Sequence, residues 1–114
     1  MIVIDTDVLI EIFDKNSEIG HKILNKIKDE YICTTSINLH EILYGFKKIG
    51  KRIPNKIKYL KILDYKKDEA DLSAKLEVEL EKIGNPIGRF DCMIAAICLN
   101  NNAPILTLNI NHFK

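Results

Sequence analysis

Met1-Ile2-Val3-Ile4-Asp5-Thr6-Asp7-Val8-Leu9-Ile10 opens the chain and decides how the rest of it is read. Ile2, Val3 and Ile4 form a short β-branched run, the pattern of a buried strand. Asp5 ends that run, and Thr6 or Asp7 can cap a helix over Val8 to Phe13. A strand, an acid at its end and a helix directly after it make the first unit of an alternating α/β chain.

The alternation continues. Asp14-Lys15-Asn16 breaks the first helix, and Ser17 starts a second whose Ile19, Ile23 and Ile27 share one face. Tyr31 to Thr34 reads as a strand, with Ser36 as the N-cap of a helix to Lys48. Gly50 and Pro54 punctuate the next stretch, then a short helix is expected near Asn55 to Leu60 and a strand at Lys61 to Tyr65. Asp68 to Ile83 is amphipathic, with Leu72, Leu76 and Leu80 on one side, and Gly84-Asn85-Pro86 stops it. A further helix is expected from Phe90 to Leu99, ended by three asparagines. A last strand spans Pro104 to Thr107, with a turn or helix to Lys114. This order predicts one domain over residues 1–114: a three-layer α/β/α fold around a mostly parallel sheet.

Three acids stand out from their surroundings. Asp5 follows an apolar run, Glu41 lies in Leu39-His40-Glu41-Ile42-Leu43, and Asp91 in Phe90-Asp91-Cys92-Met93-Ile94. Charged groups in such settings need a partner to offset desolvation. No obvious basic partner is near them, which suggests a hard divalent cation, because Mg²⁺ and Mn²⁺ prefer oxygen ligands. Ligands of open α/β sheets bind beyond the carboxyl ends of the strands. Asp5 and Asn109 each follow a strand, while Glu41 and Asp91 sit in early helical turns that can reach the same edge. A helix N-terminus also favours an acid for its own sake, so capping is the plain alternative for Asp91.

With 114 residues, 46% hydrophobic and 29% charged, the chain is of ordinary globular composition. No apolar run is long enough for a membrane span or a signal peptide core. Three cysteines without a Cys-x-x-Cys pair read as reduced thiols of a cytoplasmic protein. The net charge of +1 hides an asymmetry, for Lys47 to Lys67 carries nine basic residues against Asp64 alone. That arm is a solvated face, a footprint for a polyanion, or a dock for an acidic partner.

Four blocks together resemble a known family. They are Ile4-Asp5-Thr6-Asp7-Val8-Leu9-Ile10, Thr34-Thr35-Ser36-Ile37-Asn38-Leu39-His40-Glu41-Ile42-Leu43-Tyr44-Gly45, Gly84-Asn85-Pro86-Ile87-Gly88-Arg89-Phe90-Asp91-Cys92-Met93-Ile94-Ala95-Ala96, and Ile105-Leu106-Thr107-Leu108-Asn109-Ile110-Asn111-His112-Phe113. In order and spacing the chain resembles PIN-domain ribonucleases, specifically the VapC-type toxins of toxin–antitoxin pairs.

The resemblance implies an endoribonuclease that uses Mg²⁺ (or Mn²⁺) to hydrolyse RNA, leaving a 5′-phosphate and a 3′-hydroxyl. It places the catalytic, metal-binding acids on Asp5, Glu41 and Asp91, with a fourth position on Asn109, where many relatives have Asp. Asn109 keeps a carbonyl oxygen but removes a charge, and Asp7 either restores that charge or caps the helix. Thr6, Asp7, Thr107 and Arg89 are candidates to orient the acids or meet the phosphate. Lys47, Lys48, Lys51, Arg52, Lys56, Lys58 and Lys61 are candidates to track the RNA backbone. Tyr44, Phe46, Tyr59 and Tyr65 are placed either to stack on bases or to fill the core. The family also implies a cognate antitoxin and, commonly, a homodimer. Two other readings compete. An Asp-nucleophile phosphohydrolase is disfavoured because Leu9 replaces its Thr or Val and no acid follows Asp91. A degenerate PIN domain that binds RNA or a partner without cutting is compatible with Asn109.

Overall fold

In the computed structural model, which describes residues 1–108, strand β1 (Ile2–Ile4) is an inner strand of the sheet. Helix α1 (Thr6–Leu9) follows directly and widens into a π-helical turn over Ile10–Asp14. Then come α2 (Glu18–Ile27), β2 (Ile32–Thr35), α3 (Ser36–Lys48), α4 (Asn55–Lys58) and β3 (Lys61–Leu63). Helices α5 (Lys67–Lys82) and α6 (Arg89–Asn100) lead into β4 (Ile105–Leu106). All four strands are parallel, in the order β3-β2-β1-β4. The expected α/β architecture with a parallel sheet is therefore present.

Strand alternation explains the layers. Ile2 and Ile4 pack on one face with Val8, Leu9, Ile12, Ile27, Ile42 and Phe46. Val3 points to the other face, with Cys33, Ile94, Ile97 and Cys98. Side chains two apart share a face and neighbours oppose, so three residues serve two cores. Each fully buried aliphatic side chain contributes about 1.5–3 kcal/mol. Helices α1 to α3 cover the first face and α6 the second, which gives the three layers.

Three differences from the sequence reading have local causes. Asp5 itself, not Thr6 or Asp7, caps α1: its extended backbone (φ −73, ψ 163) lets the carboxylate accept from Thr6 N–H. Thr35 rather than Ser36 caps α3, since β2 runs one residue further and the Thr35 hydroxyl accepts from Asn38 N–H at 3.0 Å. Ser36 Oγ instead accepts from Tyr65 N–H, tying α3 to the exit of β3. The helix expected over Val8 to Phe13 gives way to a wider turn where α2 approaches. A Cβ on Gly20 would stand 2.3 Å from the Glu11 carbonyl oxygen, so only glycine permits that contact. Elsewhere Ser17 caps α2 as expected, and Gly84 at φ +72 ends α5. The turn or helix expected beyond Leu108 lies outside the described residues.

Candidate active site

From β1 the chain winds one way through β2 to β3, and then returns to place β4 on the other flank of β1. The carboxyl ends of β1 and β4 therefore border the point where the winding reverses, the position where open α/β sheets bind ligands. Asp5 leaves β1 there and Thr107 leaves β4.

Asp5 is 9% exposed, and both of its oxygens are held. Oδ1 accepts from Thr6 N–H at 2.9 Å and from the Asn38 side-chain amide at 2.7 Å. Oδ2 accepts from the Thr107 hydroxyl at 2.7 Å. Glu41 arrives from the second turn of α3, and its Oε1 accepts from the Thr6 hydroxyl at 3.1 Å. Burial raises the pKa of Glu41; the Thr6 bond opposes this, and the charges of Asp5 and Asp91 raise it further. Glu41 thus senses the other two acids, although the three come from separate elements. Asp91 lies in the first turn of α6, with Oδ2 3.7 Å from where a Gly88 Cβ would stand.

Asp7 belongs to the same neighbourhood. Its Oδ2 accepts from Leu108 N–H at 3.2 Å, which ties α1 to the exit of β4. Its Oδ1 is buried with no hydrogen-bond partner among the described residues. Burial pushes the Asp7 carboxyl up, against the pull of the Leu108 amide, and nearby Asp5 adds to the rise. Asp7 is therefore not the helix cap but a second acid beside Asp5.

The donors here are oxygen atoms, several of them desolvated and mutually repelling, which fits a hard divalent cation. Among the described residues no group of three or more Asp, Glu, His or Cys side chains is arranged to hold a metal ion by itself. An ion such as Mg²⁺ keeps several waters and takes few carboxylates, so an open set of acids suits it. Asn109, the fourth expected position, lies outside the described residues.

The other candidates separate. Thr6 and Thr107 touch the acids directly. Arg89 is exposed and forks onto Glu77, with Nε 3.1 Å from Oε1 and Nη2 3.1 Å from Oε2, so its guanidinium faces α5. Lys51 pairs with Asp14, and the Lys48 ammonium lies 5.7 Å from the Tyr44 ring centre. Lys61 begins β3 and so stands at the amino edge of the sheet, away from the acids. Lys47, Arg52, Lys56 and Lys58 are exposed. Of the aromatics, Phe46 and Tyr65 pack in the cores, whereas Tyr44 and Tyr59 are exposed. A mainly apolar cleft of about 230 Å³ runs from Thr6 and Glu41 past Ile10, Gly45 and Phe46 to Asp14 and Ile49, linking the acids to the start of the basic arm.

Sequence reasoning missed Asn38. It is fully buried, and its amide joins Asp5 to Thr6. The signal was its spacing, three residues before Glu41 and therefore on the same side of α3. The three cysteines are free, as expected, and all are buried; burial pushes the Cys98 thiol up to about 12.

The fold is a parallel α/β domain with acids at the reversal point of its sheet, and comparison with known proteins gives its class. Residues 2–114 match the PIN domain, and the chain belongs to that family. Ribonuclease VapC2 of Rickettsia felis is 30% identical over 97% of this chain and 88% of its own length. The tRNA(fMet)-specific endonuclease VapC of Shigella flexneri is 29% identical over 73% of this chain and 67% of its own. Among solved structures, VapBC2 from Rickettsia felis bound to a DNA fragment from their promoter aligns with a TM-score of 0.79 at 26% identity, covering 99% of this chain and 91% of that one. Among the described residues no helix is long and apolar enough to cross a membrane.

Proposed function

We propose that this chain is a Mg²⁺- or Mn²⁺-dependent endoribonuclease of the VapC kind, the toxin of a toxin–antitoxin pair. The observation that supports this reading is the network at the reversal point of the sheet, where Asn38 and Thr107 hold Asp5 and the Thr6 hydroxyl holds Glu41. The pKa of Glu41 rises through burial and, to a smaller extent, through the charges of Asp5 and Asp91. The ribonuclease and endonuclease names of the relatives support the reaction, and the VapBC2 complex supports an antitoxin as partner.

Asp5, Glu41 and Asp91 would hold the ion, and Asn109 would add a neutral carbonyl oxygen. When bound, such an ion supplies an acidified water and neutralises charge on the phosphate. The chain's own part is orientation. Asn38, Thr6 N–H and Thr107 keep Asp5 in one rotamer, and the Thr6 hydroxyl keeps Glu41 turned towards it. The mainly apolar cleft beside Glu41 ends at Asp14 and Ile49, and it would give the RNA strand a path towards the basic arm, whose Lys51 pairs with Asp14. Lysine contacts to phosphate there confer affinity and salt dependence rather than sequence choice.

The test uses purified protein, free of any antitoxin, incubated with total RNA in Mg²⁺ or Mn²⁺ beside Asp5→Asn and Asp91→Asn. Each substitution is expected to lower cleavage by about a hundredfold to a thousandfold, the scale of losing one transition-state-stabilising group. Wild-type protein that cuts no better than the variants would leave a PIN domain that binds without cutting.

A further inference from the structure

We propose that Asn38 is a positioning residue, whose side-chain amide fixes Asp5 directly and Glu41 through the Thr6 hydroxyl. The inference rests on the ribonuclease reading above and adds to it a part that none of the acids can supply.

A count of hydrogens leads to it. The amide nitrogen of Asn38 has two hydrogens, and it lies 2.7 Å from Asp5 Oδ1 and 3.0 Å from Thr6 Oγ1. Thr6 has a single hydroxyl hydrogen. Because Thr6 Oγ1 accepts from Asn38, that hydrogen is left for Glu41 Oε1 at 3.1 Å. The orientation of the amide is itself set, since its carbonyl oxygen accepts from the Thr35 hydroxyl at 2.8 Å. Turned over, the carbonyl would face the Asp5 carboxylate, acceptor against acceptor. Thr35 in turn accepts from Asn38 N–H as the cap of α3. The helix cap, the amide and the two carboxylates therefore form one directed chain, with each donor assigned.

Few side chains can fill this position. It requires two donors from one neutral, short, planar group with no room for water, Asn38 being fully buried. Serine or threonine offers one hydrogen and can serve only one branch. Leucine keeps the shape and offers none. Aspartate offers none and adds a third negative charge beside Asp5 and Glu41. Lysine or arginine would donate but would also neutralise the acids. An uncharged donor orients both carboxylates and leaves their charge available to a cation.

The experiment compares wild type, Asn38→Leu, Asn38→Ser, Thr6→Val and the core control Ile97→Val. Three quantities are read for each: Mn²⁺ affinity by calorimetry, the Mn²⁺ concentration giving half-maximal RNA cleavage, and the urea midpoint. Loss of an orienting partner of a metal ligand typically weakens binding about 10–100-fold. Asn38→Leu is expected to lose at least tenfold in Mn²⁺ affinity, with cleavage partly restored by excess Mn²⁺. Asn38→Ser and Thr6→Val should fall between it and wild type, each keeping one branch of the network. Ile97→Val should lower the urea midpoint with Mn²⁺ affinity unchanged, which separates positioning from general loss of stability. If Asn38→Leu does not fold, Asn38→Ser and Thr6→Val carry the test. Mn²⁺ affinity within twofold of wild type in the folded variants, while wild type binds Mn²⁺ and cuts RNA, overturns the role of Asn38 alone. Wild type that neither binds Mn²⁺ nor cuts overturns the ribonuclease reading and this one with it.

Discussion

Acids at the carboxyl edge of the sheet and acids on the α5–α6 surface are treated in opposite ways. On the surface Glu77 meets the Arg89 fork, and this contact holds its carboxyl below the usual range. At the edge Asp5, Asp7 and Glu41 are held by hydroxyls, an amide and backbone N–H groups, and the pKa values of Asp7 and Glu41 rise through burial and mutual repulsion. On the surface one acid, Glu77, is paired with a side-chain cation; at the edge the acids are oriented by neutral donors. Groups arranged at a cost to the folded state mark sites rather than struts.

Adding a cation is the strongest way to probe that contrast. Saturating Mn²⁺ should raise the unfolding free energy by about 2.7 kcal/mol at a hundredfold excess over Kd, and Asp5→Asn should abolish the gain. Thermal melts with and without Mn²⁺ measure both, and an equal gain in the variant would place the ion elsewhere.

A smaller effect is expected from Glu41→Gln without metal. The folded-state pKa of Glu41 is raised, so the native state holds its proton more tightly than the unfolded chain does. Stability from this group is then full below the unfolded pKa, near 4.3, and is lost as pH rises through the higher folded value. Glu41→Gln should melt above wild type at pH 7, and the difference should vanish below about pH 4. A lower melting temperature at pH 7 would mean that Glu41 is a structural acid after all.

The smallest change is expected for Glu77→Gln, with the opposite sign. It should melt slightly below wild type in low salt and indistinguishably from it near 1 M salt, where exposed pairs are screened. A salt-independent loss would give the α5–α6 ion pair more weight than its exposure allows.

Much of this layout was legible in the order of residues. Asp5, Glu41 and Asp91 were conspicuous because each interrupts an apolar pattern. The parallel sheet followed from strands separated by helices. Three features were not legible. Two adjacent hydroxyl residues, Thr35 and Ser36, can each cap a helix, and only the one-residue extension of β2 decides between them. Asn38 looks like any polar helix residue until the Asp5 carboxylate, 33 positions earlier, is brought against it. Lys56, Lys58 and Lys61 form one charge run with Lys47 and Lys48, yet the parallel strand direction carries Lys61 to the edge opposite the acids.

The Thr107–Asp5 hydrogen bond has a consequence in time. It spans 102 positions, and the Leu108–Asp7 bond spans 101. A chain emerging from the ribosome can close the contacts of β1 with β2 and α3 long before either of these exists. Until β4 docks beside β1, Asp5 Oδ2 lacks its hydroxyl and Asp7 its amide. The hydrogen bonding of Asp5 and Asp7 is thus completed only after almost the whole described chain has been synthesised.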